Sequence, residues 1–319
     1  MGRPKSRSPH LDGVLVIDKP SGWTSQDVVA KVRGITGQRR AGHTGTLDPD
    51  ATGVLVICLG RATRLVRFLQ AGRKTYRATM VFGRATSTQD AAGDVLAELD
   101  ASHLTEHDVA LVLGHLVGEL DQVPPMVSAV KVDGVRLHEL ARRGEEVERA
   151  PRRITVHALQ LEAFVPGELA SASFEVTCSA GTYVRTLSHD AGATLGVGGS
   201  LTTLRRTVNG AFADTVALEL AALEAAVAED RLSDVLVDVE SALSFLPTIE
   251  VDVDAAVAAA QGKPVAAADV EGPWVLTCGG RAVGVFTDVL RAGPGGEQRG
   301  RAEVVLLQPA ELQATGAPS

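Results

Sequence analysis

The stretch RAGHTGTLDPDATGVL, residues 40–55, gathers a histidine, three threonines and three glycines around an Asp-Pro bond. A carboxylate in such a loop, here Asp48, can take a proton, add to an electrophilic carbon or stabilise positive charge beside it. Pro49 fixes the backbone that follows and biases Asp48 away from the helical region. Gly42, Gly45 and Gly53 permit sharp turns or a close approach of ligand to backbone. The spacing also suits a plain Asp-Pro turn with Thr44 and Thr46 satisfying the backbone, and on spacing alone that is the simpler reading.

Tyr76 and Tyr183 are the only tyrosines in a chain that is 3% aromatic. In KTYRATMVFG, Tyr76, Ala78, Met80 and Phe82 fall on one face of a strand, and Thr75, Arg77 and Thr79 on the other. The pattern alone makes Tyr76 a core aromatic whose hydroxyl needs a partner. Tyr183 precedes Arg185 by two residues in CSAGTYVRT, at a predicted helix start. A cation there opposes the helix dipole. A buried partner carboxylate would account for it, and a guanidinium suits bidentate pairing.

Other signals carry less. HLTEH, residues 103–107, has H-x-x-E-H zinc spacing. That pattern needs one continuous helix, and Thr105 reads as a helix cap inside it. Ser188, His189 and Asp190 are helix neighbours about 100° apart, so they cannot hydrogen-bond as a triad. GATLGVGG lacks the G-K-[ST] ending of a phosphate loop. Cys58, Cys178 and Cys278 lie far apart, which suits a reducing cytoplasm rather than a disulfide framework or a zinc site.

The elements that must hold these residues follow from periodicity. Val14 to Ile17 predicts a short strand, and Ser25 is read as the cap of a helix with Val28, Val29, Val32 and Ile35 inward. After the Asp48 loop come an apolar strand in GVLVICLG, a short helix closed by Gly72, and the alternating strand of Tyr76. TEHDVALVLGHLVGEL reads as a helix with Thr105 and Asp108 as its capping pair. KVDGVR is a hairpin by its Asp-Gly turn and leads into a helix. RITVHALQLEAF and LASASFEVTCSAG are consecutive strands. TYVRTLSHDAGATLG is a helix with Val184, Leu187, Ala191 and Leu195 inward. Strands and helices interleave without regular βαβ repetition, which predicts an α+β domain with a mixed, mainly antiparallel sheet. A smaller strand-rich unit is expected after a boundary near residue 246.

At 319 residues, 45% hydrophobic and 22% charged, the chain has material for about two globular domains. No apolar run approaches the roughly 18 residues of a membrane helix, so no membrane partner is expected. The net charge of −8 hides an asymmetry. Residues 1–84 hold 15 Lys/Arg against 5 Asp, a net of +10, whereas residues 211–319 hold 6 against 17 Asp/Glu, a net of −11. Such a split hints at a polyanion-facing region, though a solvated basic face explains it as well.

Five segments then fall into one order: GVLVIDKPSGWTS, RAGHTGTLDPDATGVLVICLG, KTYRATMVFG, PPMVSAVKVDGVRLHELARRG and CSAGTYVRTLSHDAG. Together they resemble the TruB family, bacterial tRNA pseudouridine synthases that modify uridine 55 in the T-arm. The resemblance covers about residues 11–210. It implies a pseudouridine synthase fold over residues 11–246 and a β-rich, PUA-like domain over residues 247–319, with an isomerase acting on tRNA without metal or organic cofactor. The basic stretch of residues 1–10 is read as an arm, the spacing of the cysteines points to the cytoplasm, and a monomer is the default expectation. On the matching positions, Asp48 is implied as the nucleophile or its equivalent. Tyr76 is implied to stack on the target base and help move the C5 proton, and Arg185 to pair with Asp48. Tyr183 is carried over as a substrate contact, Leu204 as a pocket wall, and His43 as the residue that enters the RNA loop when the base flips. Lys19 and Pro20 match a motif that supports the site floor. Two features depart from the family pattern: Asp50, expected to point to solvent, and the strongly acidic C-terminal unit.

Overall fold

The computed structural model describes residues 11–315 except 129, 133, 267–269, 271 and 290–298. The basic arm of residues 1–10 lies outside the described residues. Two sheets organise the chain. The larger is built from β1 (Gly13–Lys19), β2 (Ala41–His43), β3 (Thr52–Leu59), β4 (Lys74–Phe82), β5 (Gly118–Gln122), β6 (Arg152–Val165), β7 (Ser171–Cys178), β8 (Gly199–Asn209) and β9 (Phe212–Ala213). Its strand order is β1-β3-β8-β4-β7-β6-β5, with β2 on β3 and β9 on β8. Every pairing is antiparallel except the short parallel contact between β8 and β3. The fold is therefore α+β with the mixed, mainly antiparallel sheet that the interleaved pattern predicts.

Apolar alternation decides which face is covered. On β4, Tyr76, Ala78, Met80 and Phe82 are buried. They pack with α2 (Glu106–His115) through Val109, Val112 and Leu113, and with α3 (Val184–Thr194) through Val184, Leu187 and Ala191. At the other end, Leu15, Ile17, Leu55 and Ile57 pack with Val28, Val29 and Val32 of α1 (Ser25–Thr36). The opposite face of β1 and β3, with Val14, Val16, Val54 and Val56, meets Leu65, Phe68 and Leu69 and, across the chain, Val275, Val285 and Val304. Those last residues belong to the second sheet: β10 (Thr248–Glu250), β11 (Val265–Ala266), β12 (Trp274–Cys278), β13 (Arg281–Val289) and β14 (Arg299–Val305). Its order is β10-β12-β13-β14-β11, around its own core with Trp274 stacked on Phe286 at 5.1 Å.

The stretch TEHDVALVLGHLVGEL, read as one helix, is helical only to His115; Gly118, with φ of +115°, turns the chain out of the helix and opens strand β5. Two smaller details also differ. The cap of α1 is Thr24, in a reciprocal capping box with Asp27, and not Ser25. Ser25 is turned inward instead, because its hydroxyl is taken up by the loop that carries Asp48. The second is β8, which lies beside β4 near the middle of the sheet and had no strand signal of its own. Its polar sequence, GSLTTLRRTVN, has few apolar side chains to alternate. Elsewhere the caps agree: Thr105 opens α2 in a capping box with Asp108, so HLTEH is split between loop and helix.

The parallel contact between β3 and β8 is close because residue 53 lacks a side chain. Gly53 has φ of +97°, and a Cβ there would lie 2.2 Å from the Arg206 carbonyl oxygen. Both the backbone conformation and the space call for glycine. Gly53→Ala is expected to lower the unfolding free energy by about 2–4 kcal/mol. A urea-denaturation midpoint equal to that of the parent would show that the strands separate at no cost.

Candidate active site

The Asp48 loop joins β2 to β3 and is fastened at several points. The Ser25 hydroxyl donates to the Leu47 carbonyl at 3.0 Å and accepts from the Leu47 N–H at 2.9 Å. The Ala51 N–H donates to the Asp48 carbonyl at 3.1 Å, which closes the turn across Pro49. Lys19, fully buried, donates from Nζ to the carbonyls of Pro20 at 2.8 Å, Trp23 at 2.6 Å and Pro49 at 2.8 Å. Three carbonyl acceptors satisfy all three ammonium donors. Burial lowers the Lys19 pKa to about 8, against the pull of Asp50 and Asp48. Pro20 is exposed on the outer side of this support.

Arg185 sits in the first turn of α3 and is 4% exposed. Its Nη2 lies 3.2 Å from Asp48 and donates to the Val127 carbonyl at 2.9 Å. Its Nη1 donates to Asp90 at 3.2 Å. A cation at a helix N-terminus is thus offset by two carboxylates and a carbonyl. The Asp90 loop is tied down in turn. Gln89 adopts φ of 65°, an unfavourable value for a side chain with a Cβ. It is held there by Thr186, whose hydroxyl donates to the Gln89 amide oxygen, and by the Leu201 N–H on the Gln89 carbonyl.

Asp48 faces a cavity of about 230 Å³. Tyr76, Tyr183, Arg185 and Leu204 share its lining with Asp48, together with Lys74, Arg206 and Gln70. Burial raises the Asp48 carboxyl above the ordinary carboxylate range. Arg185 opposes the rise, Asp90 adds to it, and the exposed Asp50 contributes least. Burial likewise pushes up the Tyr76 hydroxyl, so the phenol stays protonated at neutral pH. Tyr76 faces Arg206 directly across the β4–β8 pairing, and Ala78 faces Leu204. Tyr183 is positioned through its backbone: its N–H donates to the Gln122 side chain at 2.8 Å, and its carbonyl accepts from the same amide at 3.1 Å. Its ring lies 6.0 Å from the Arg185 guanidinium carbon. His43 ends β2 at the rim, half-buried, with Nδ1 accepting from the Gly45 N–H at 3.3 Å. Burial, then the nearby Arg206, lowers its pKa and keeps the imidazole neutral.

The structure therefore brings Asp48, Tyr76, Tyr183, Arg185 and Leu204 onto one cavity. It places His43 beside them, and Lys19 and Pro20 behind the loop. Asp90, Gln122, Lys74 and Arg206 were not singled out from the sequence. Lys74 had a signal, since it lies two residues from Tyr76 on the same predicted strand, whereas Arg206 had none because β8 carries no strand signal. Asp90 had none, because its loop reads only as polar. Among the described residues, no group of three or more His, Cys, Asp or Glu is placed to hold a metal ion.

Known proteins resemble this chain over most of its length. Residues 33–184 match the TruB family pseudouridylate synthase N-terminal domain, and residues 185–244 the tRNA pseudouridylate synthase B C-terminal domain. The chain is 53% identical over 241 residues to the tRNA pseudouridine synthase B of Symbiobacterium thermophilum, covering 76% of this chain and 79% of that protein. It is 41% identical over 308 residues to the enzyme of the same name from Mycobacteroides abscessus, covering 94% and 97%. Among solved structures, a Cbf5-Nop10-Gar1 complex contains a chain that is 27% identical, with a TM-score of 0.75 over 97% of this chain and 89% of that one. The chain belongs to the TruB family of pseudouridylate synthases.

Proposed function

We propose that this chain isomerises uridine to pseudouridine at position 55 in the T-loop of tRNA, with Asp48 as the nucleophile or its equivalent. The observation that carries the reading is the Asp48 carboxylate, held at the cavity by a buried arginine. Relatives at 41–53% identity are named tRNA pseudouridine synthase B, which supplies the substrate class. The reaction breaks N1–C1′, forms C5–C1′, removes a proton from C5 and adds one at N1. Product and substrate are isomers, so the balance needs no redox partner or group donor. A carboxylate beside the ribose can add to C1′, stabilise charge there, or take the C2′ proton. All three uses need Asp48 ionised, and Arg185 favours that form.

The target base must leave its stack to reach such a cavity. Tyr76 offers its ring to the base, with Arg206 opposite it on the neighbouring strand. Leu204 forms a wall, Tyr183 contacts the nucleotide, and His43 at the rim takes the vacated space in the loop. Lys19 and Pro20 hold the loop from behind. The exposed basic residues among positions 11–84, such as Lys31, Arg39, Arg40 and Arg73, are assigned to the phosphates of the T-arm. We assign this work to residues 11–246, with residues 247–319 as a separate β-rich domain. Among the described residues no helix is long and apolar enough to cross a membrane. A cytoplasmic enzyme is consistent with this and with three free cysteines.

With unmodified tRNA transcript, wild type is expected to form pseudouridine in the T-loop. Asp48→Asn is expected to bind the RNA within about threefold and form none, a loss beyond about 10⁴-fold. Wild-type turnover in the variant would sink the assignment. Isomerisation should fall as pH drops through the Asp48 pKa, on a limb displaced above the usual value of about 4. Arg185→Gln removes the cation that favours the carboxylate, so the limb should move up by about 1–3 units. An unmoved limb would show that Arg185 does not act on Asp48 electrostatically. Finally, tRNA affinity should fall steeply with added salt. A flat response would remove the electrostatic part of the argument.

A further inference from the structure

Lys74 and Arg206 are 5% and 1% exposed, and both line the cavity. Among the described residues, neither is within ion-pair distance of a carboxylate. Lys74 Nζ donates to the carbonyls of Gln70 at 2.7 Å and Gly72 at 2.8 Å. An ammonium has three donors, so one remains. Arg206 donates to the carbonyls of Val54 at 2.7 Å, Thr46 at 3.3 Å and Gly45 at 3.1 Å, and lies opposite Tyr76 across the strand pairing. The two cations converge at Gly45. A Cβ on that glycine would be 3.8 Å from Arg206 Nη1 and 3.9 Å from Lys74 Cε. Two buried cations without counter-ions are costly. Burial lowers the Lys74 pKa to about 8, with Arg206 acting in the same direction; the neighbouring Cys178 thiol, itself pushed up to about 11 by burial, opposes weakly.

We propose that Lys74 and Arg206 form a cationic wall that stabilises the uracil as an anion between its detachment from the ribose and its reattachment. When N1–C1′ breaks, the bonding pair leaves with the base and is delocalised onto O2 and O4. The remaining Lys74 N–H donates to one of these carbonyl oxygens, and Arg206 adds its charge from behind Tyr76. The pair is then spent in the new C5–C1′ bond, after which the C5 proton leaves and N1 gains one. Lys74 keeps its proton throughout. Preorganised donors aimed at developing charge in a site closed to water are an effective form of transition-state stabilisation. A role in gripping the RNA backbone fits less well, because both side chains are buried with their other donors fixed to backbone carbonyls.

This inference rests on the isomerase reading above. The test is single-turnover isomerisation of tRNA transcript at saturating enzyme by wild type, Lys74→Met and Lys74→Arg, with tRNA affinity and melting temperature measured in parallel. Lys74→Met should slow the bound reaction by about 10²-fold or more with tRNA affinity within about threefold. Lys74→Arg should recover at least about tenfold of that loss. In wild type, which is unaffected by any folding defect, ionised barbiturate should inhibit at least about tenfold better than neutral uracil of the same ring size. An unchanged rate in Lys74→Met, a loss confined to tRNA affinity, or no preference for the anionic pyrimidine would overturn the proposal. Wild type inactive on tRNA would instead sink the isomerase reading, whereas active wild type with equally active Lys74→Met sinks only this one.

Discussion

The site is organised by a guanidinium in an unfavourable place. Arg185 enters the first turn of α3, where the helix dipole opposes a cation, and it is almost wholly removed from water. Its position is sustained only by what surrounds it: Asp48 from the β2–β3 loop, Asp90 from the loop after β4, and the carbonyls of Val127 and Thr88. Three segments far apart in sequence are thus fixed relative to one another by one planar group. Leaving so buried a guanidinium without its carboxylates would be costly. The loops that supply the carboxylates are accordingly fastened independently, by Ser25 and Lys19 on one side and by Thr186 and Leu201 on the other.

The sheet supplies the second constraint, which is register. Tyr76 and Lys74 on β4 share one face, and β8 sets Arg206 directly opposite Tyr76. A slip of one residue in this pairing would turn Arg206 to the other face and leave the Gly45 and Thr46 carbonyls without a donor. The close backbone contact at Gly53 and the Asn209 side chain, which donates to the Thr44 hydroxyl at 3.2 Å, hold the register from both ends of the loop. The loop carrying Asp48 is therefore braced by the same strand that brings Leu204 to the cavity.

What was legible in the sequence follows from this division. Strands with strong apolar alternation, such as β4, and helices with local caps, such as α2, could be read because their signals are contained within a few residues. The need of Arg185 for a carboxylate partner could be read from its place at a helix start. Its second partner could not, because Asp90 acquires meaning only when its loop packs against α3. The strand β8 escaped for a related reason: its inward side chains include Arg206 and Asn209, whose burial depends on polar partners presented by other segments. Ser25 was read as a cap because serine is suited to that role, and Thr24 one residue earlier fills it while Ser25 serves the loop. Local chemistry is visible in one dimension; satisfaction of buried polar groups by distant backbone is not.

The cavity carries both signs of charge, and heterolysis of a glycosidic bond needs both. As N1 and C1′ part, the ribose gains positive character and the base negative character. On the proposed reading the carboxylate of Asp48 meets the first and the wall of Lys74 and Arg206 the second; the three share one cavity lining. Each charged group is held by its own partners, Arg185 for Asp48 and backbone carbonyls for the two cations. They therefore do not neutralise one another across the space the nucleotide would fill. Keeping opposite charges apart in a low-dielectric cavity costs stability in the empty protein, and interactions of this kind strengthen most when the substrate separates charge along the same axis.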